Sequence, residues 1–260
     1  AVTRPRKTAM SERYGILVPI DAHGVNRATL ESLVRLARHL NRSVLGLLLA
    51  DPRLQRVAAL PFTTEIYLQS GQERGLEKRY LGENDRSASQ TRRWLDELAS
   101  RDRVSLQFES AAGERLQSAL SRDGDLDVFI PARPRWQLVS TSYLPQQHSP
   151  RRLGLVLTGT DEDTAVIAMA GALLTLQPTT QVYVYSLGEP SPAALDALSS
   201  TGARLCVQSN FRASAPELAS LIQRSACDLL LIPRASIALD DRALLERALE
   251  NAGSQLLLVG

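Results

Sequence analysis

Lysine is almost missing from this chain of 260 residues: of its thirty basic residues only Lys7 and Lys78 are lysines. The arginines that stand instead are spread along the whole length, which points to a coding bias and not to a basic surface. Against twenty-eight acidic residues they leave a formal charge of +2, too little to attract nucleic acid or an anionic membrane. Long apolar runs are lacking as well, and none nears the roughly 18 residues that cross a bilayer. The basic start, residues 1–13, has no apolar core behind it as a secretory signal would, and it reads as a flexible tail. Cysteine is scarce. Cys206 and Cys227 lack metal-type spacing and sit in or beside apolar stretches, so buried, reduced thiols and a cytoplasmic location are expected. The three histidines, His23, His39 and His148, have no Ser or Cys nucleophile with a partner beside them. No catalytic set is expected, and the chain is not read as an enzyme.

What remains is an ordinary apolar fraction of 44% arranged as alternating strands and helices. The last stretch is the clearest. Asp228-Leu-Leu-Leu-Ile-Pro233 and Leu256-Leu-Leu-Val259 are continuous apolar runs of strand length. Between them lies an amphipathic helix with Asp240 and Asp241 before it and Gly253 after it. Apolar runs without alternation imply strands buried on both faces, as in a parallel sheet covered by helices. The connection over 233–240 would then lie at the carboxyl end of a strand, where open α/β sheets bind ligands.

Taken in order, the pattern predicts strands at 14–20 and 43–49, with a helix from about Asn26 between them. Residues 51–80 read as irregular, with a short apolar segment from Leu54 to Phe62. A helix is expected over 85–101, a strand over 104–108, a helix over 111–121 and a strand over 126–130. Residues 135–150 show no convincing closing helix or strand, so this half is either truncated or has its edge filled by another segment. The series then restarts with strands at 153–157, 181–186 and 204–208. Helices follow them over 163–176, from Ser191 to Ser200, and from a capping box at Ser214 and Glu217 to Ser225. The repeat of one order over a similar length indicates an internal duplication. We divide the chain into a tail, 1–13, a first domain, 14–150, and a second, 151–260.

Ile16-Leu-Val-Pro-Ile-Asp21 followed by a helix, together with Asp228-Leu229 and Glu246-Arg247-Ala248-Leu249 before a closing apolar strand, resembles the universal stress protein family. The resemblance covers nearly the whole chain. It implies an α/β fold of two tandem Rossmann-like (HUP-type) domains, each a mainly parallel sheet flanked by helices, and it makes Asp21 the residue that contacts adenosine. The family's phosphate loop, Gly-x2-Gly-x9-Gly-Ser, is not kept. Pro131 and Pro134 stand at the first two glycine positions in the first half. In the second half Pro233, Ser236 and Arg242-Ala243 replace the glycines and the serine. Glycine lets backbone N–H groups close around an anion, whereas proline has no N–H and a fixed φ. Neither half is therefore expected to bind ATP in the usual family mode, and no cofactor is expected. In the second half the position of Asp21 falls near Thr158 or Gly159.

Arg133, Arg135, Arg234 and Arg242 lie in the altered loops and could hold a phosphate or carboxylate through their forks. The reading preferred is that they are solvated arginines in an arginine-rich protein. Asp161, Glu162 and Asp163 suit a helix N-terminus as well as they suit a cation, and no metal is expected. The preferred reading is a non-enzymatic, universal stress protein-like regulatory protein acting on protein partners or through self-association. The alternatives are a sensor of an adenine nucleotide or another small anion, and a cytoplasmic regulatory domain of a transporter.

Overall fold

The structure, a computed structural model, describes residues 15–21, 25–50, 60, 64–66, 73–122, 126–132, 151–176, 181–187, 192–209, 211–212, 214–237 and 242–260. The tail, the segment 51–59, His23, Arg133, Arg135, His148 and the acidic pair Asp240–Asp241 lie outside the described residues.

The first series runs β1 (Ile16–Ile20), α1 (Arg27–His39), β2 (Val44–Ala50), a hairpin of β3 (Thr64–Ile66) and β4 (Glu73–Gly75), α2 (Leu76–Asp102), β5 (Leu106–Ala112), α3 (Arg115–Leu120) and β6 (Asp127–Ile130). The second runs β7 (Arg152–Leu157), α4 (Asp163–Leu176), β8 (Gln181–Ser186), α5 (Pro192–Ser199), β9 (Arg204–Ser209), α6 (Ala215–Arg224), β10 (Leu229–Pro233), a 3-10 turn (Arg234–Ser236), α7 (Arg242–Glu250) and β11 (Gln255–Val259). The α/β class and the strand–helix alternation read from the sequence are those of the molecule.

The two series share one sheet of nine strands in the order β5-β2-β1-β6-β11-β10-β7-β8-β9. Within this sheet pairing is parallel except at the join of the two series, where Ile130, Phe129 and Val128 run antiparallel to Leu256, Leu257 and Leu258; β3 and β4 form a separate antiparallel pair. β6 thus has β1 on one side and β11 on the other, so the edge of the first series is filled by the last strand of the second. Successive side chains in a strand point to opposite faces. Ile16, Val18 and Ile20 accordingly pack with Leu30, Leu33, Leu95 and Leu98 on one face, whereas Leu17 packs with Leu116, Leu218 and Leu245 on the other.

Several boundaries differ from expectation for identifiable reasons. α2 starts at Leu76 and not near Asp85. Its added residues, Leu-Glu-Lys-Arg-Tyr-Leu, are mostly good helix formers, and Gly82 does not stop them. β5 runs on to Ala112 and shortens the following helix to Arg115–Leu120, the turn between being made by Gly113 at φ 140°. The capping box is not formed: Ser214 is the N-cap of α6 but its side chain makes no capping bond. Pro216, the second residue of that helix, removes one of the two N–H groups a capping oxygen can take, leaving only that of Glu217. Cys227 is buried as expected, while Cys206 on the outer strand β9 is only half-buried; both are free thiols.

Candidate functional site

In an open α/β sheet the crevice forms where neighbouring strands send their connections in opposite directions. The order places one such point between β1 and β6 and another between β10 and β7.

At the first, Asp21 directly follows β1 and Pro131 directly follows β6. Arg115, the first residue of α3, reaches between them and is only 4% exposed. Its Nε lies 3.6 Å from Oδ2 of Asp21 and 3.8 Å from Oε1 of Glu246, while its terminal nitrogen donates to the Pro131 carbonyl at 3.4 Å. Glu246 belongs to α7 of the second series. Its other oxygen accepts the Leu116 N–H at 3.0 Å, at the start of α3. Burial pushes the Glu246 carboxyl above the usual range; the Leu116 N–H and Arg115 pull against it, and Glu114 adds to the rise. The crevice read from Asp21 is therefore lined by two carboxylates that share a guanidinium.

At the second crevice, the Asp21 position is Thr158, immediately after β7. Asp163, buried at the start of α4, turns back on this segment. One of its oxygens accepts the Thr158 N–H at 2.8 Å and hydroxyl at 3.0 Å, and the other accepts the Gly159 N–H at 2.8 Å. Gly159 has φ 79°, a conformation glycine adopts freely, and this aims its N–H at Asp163. Among the described residues no three His, Cys, Asp or Glu side chains converge on a possible cation position.

Of the four arginines singled out in the sequence, Arg234 and Arg242 are among the described residues, and Arg234 is not directed at Asp21. Arg234 donates to the carbonyls of Leu126 at 3.1 Å, Leu120 at 3.3 Å and Arg122 at 2.8 Å. It therefore sits at the amino end of β6 and the far end of α3, away from Asp21. Arg242 begins α7, one turn before Glu246; its Nε is shut off from solvent and has no hydrogen-bond partner among the described residues. Asp228, read as the start of the strand motif, holds β7: its carboxylate accepts the N–H groups of Arg151 at 2.9 Å and Arg152 at 3.0 Å.

Sequence reasoning passed over Arg115 and quoted Glu246 only as part of a motif. Arginine is seldom fully buried, so nothing in Gly-Glu-Arg-Leu marked Arg115 as internal. Glu246 did carry a weak signal, since it flanks the apolar stripe of Leu245, Ala248 and Leu249.

No helix among the described residues is long and apolar enough to cross a membrane. No protein-family profile matches the chain, and no curated protein sequence matches it. Among solved structures it is similar to a universal stress protein from Archaeoglobus fulgidus DSM 4304, at 10% identity over 94% of this chain and 95% of that one, with a TM-score of 0.49. A universal stress protein in complex with cAMP matches at 17% identity over 43% of this chain and 98% of that one, with a TM-score of 0.30. MurG of Acinetobacter baumannii matches at 12% identity over 90% of this chain and 82% of that one, with a TM-score of 0.23. At such values the functional reading rests on the chain's own residues.

Proposed function

We propose that the chain is a universal stress protein-like regulatory or interaction protein, not an enzyme, in which neither half takes ATP in the mode usual for that family. The observation that supports it most is the use of the chain's own carboxylates at both crevices. Asp21 and Glu246 share Arg115 at one, and Asp163 takes the backbone donors of Thr158 and Gly159 at the other. A phosphate brought to the first crevice meets two like charges with their one shared cation already engaged. At about 4 Å and an effective dielectric near 20, each such pair costs roughly 4 kcal/mol. Pro131 and Pro233 at the altered loops supply no N–H to offset this. The protein would work in the cytoplasm through its surfaces, on a protein partner or a second copy of itself, without cofactor, nucleic acid or membrane.

Native mass spectrometry of freshly purified protein, followed by titration with ATP, ADP and AMP, tests the reading. The expected result is protein at its bare mass and no saturable binding up to millimolar nucleotide. Retained nucleotide, or micromolar binding lost in Asp21→Ala, would overturn it and establish the sensor alternative.

A further inference from the structure

Arg115 stands where three parts of the molecule meet: the residue after β1, the residue after β6, and α7 from the second series. Its Nε lies 3.6 Å from the Asp21 carboxylate and 3.8 Å from that of Glu246, so one guanidinium faces both. Each attraction strengthens as the guanidinium moves toward that partner, at the expense of the other. Glu246 spends its second oxygen on the Leu116 N–H, which is how the second series grips the start of α3. Asp21 is therefore connected, through one guanidinium, to the hydrogen bond that joins the two series.

We propose that Arg115 couples the crevice at Asp21 to the seam between the two series, so that any group engaging the Asp21 carboxylate changes how firmly Glu246 holds Leu116. An ionised carboxylate only accepts hydrogen bonds. The engaging group is thus a cation or a neutral donor, such as an amine, a hydroxyl or an amide N–H of a ligand or partner. Once Asp21 is engaged or neutralised, Arg115 turns wholly to Glu246 and fixes that carboxylate in place. The seam then tightens at α3 and α7. No nucleotide is required, so the coupling stands or falls independently of the function proposed above.

Amide hydrogen exchange of Leu116, read by NMR in the intact chain, tests this directly. Asp21→Asn removes the charge with little change of shape and is expected to slow Leu116 exchange about threefold or more. The same substitution placed on Glu246→Gln or on Arg115→Met is expected to leave Leu116 exchange unchanged. Where Arg115→Met does not fold, the Asp21→Asn and Glu246→Gln pair decides alone. Equal slowing with and without the Glu246 carboxylate would mean a route that bypasses Arg115 and overturns the proposal. So would no change at Leu116 in Asp21→Asn, or a change of equal size at every amide of the sheet.

Discussion

The Glu246 carboxylate accepts the Leu116 N–H at the start of α3, while Arg234 donates to the Leu120 carbonyl at its end. An anion at a helix N-terminus and a cation at its C-terminus are the signs the macrodipole favours. Both come from the second series. A helix of six residues is far below the length that holds by itself in water, so α3 keeps its place through these neighbours and through Leu116 and Ala119 in the core.

Arg234→Ala leaves the carbonyls of Leu120, Arg122 and Leu126 without their donor. The expected loss is about 1–3 kcal/mol. Arg234→Lys recovers only part of it, because an ammonium cannot span three acceptors as the guanidinium fork does. Urea unfolding followed by circular dichroism checks both variants. A midpoint for Arg234→Ala equal to that of the parent would refute the clamp.

Glu246 carries a pH dependence whose sign follows from its environment. Burial raises its folded-state pKa above the unfolded value, so the ionised form costs stability at neutral pH. That cost is fully present above the folded value and is relieved as pH falls through it toward the ordinary glutamate value. Glu246→Gln removes the titration and keeps an acceptor for the Leu116 N–H. The stability difference between parent and variant should therefore drift in the parent's favour as pH drops through that window, and be flat above it. Glu246→Ala, which keeps no acceptor, should be the less stable of the two variants at every pH. Thermal melts from neutral to mildly acid pH measure this; a difference independent of pH would contradict the burial effect.

Asp163→Ala strands two backbone donors, those of Thr158 and Gly159, at a buried turn. Leaving buried donors without acceptors costs about 1–3 kcal/mol, and Asp163→Asn, which retains one carbonyl, should cost less. Chemical denaturation of the pair gives the ranking. Equal stability of Asp163→Ala and the parent would show that the turn does not depend on this carboxylate.

The two thiols should differ in reactivity. Cys227 is 4% exposed, and burial pushes its thiol up, whereas Cys206 lies half-exposed on the outer strand. A thiolate-selective reagent in native buffer is expected to label one thiol per chain quickly and the second only on unfolding. Peptide mapping should place the fast label on Cys206. Rapid labelling of Cys227 would show that β10 opens readily.

The sequence by itself determined the nine strands of the shared sheet and most helices, because a five-residue apolar run such as Leu229–Pro233 has few ways to be buried other than in a covered sheet. It did not determine the β3–β4 hairpin in the stretch read as irregular, because three-residue strands carry no such run. It did place Asp21 and the Thr158–Gly159 position at strand carboxyl ends, where crevices of open sheets lie. Only the tertiary structure decided what fills them. That β11 closes the edge of β6 depends on one strand meeting another over a hundred residues away, for which both are suitably apolar and neither is specific. That Arg115 is internal, that Glu246 faces Leu116 and that Arg234 caps α3 instead of facing Asp21 follow from that join. Helix periodicity says which stripe is apolar, but not which charged residue at its rim meets the opposing chain.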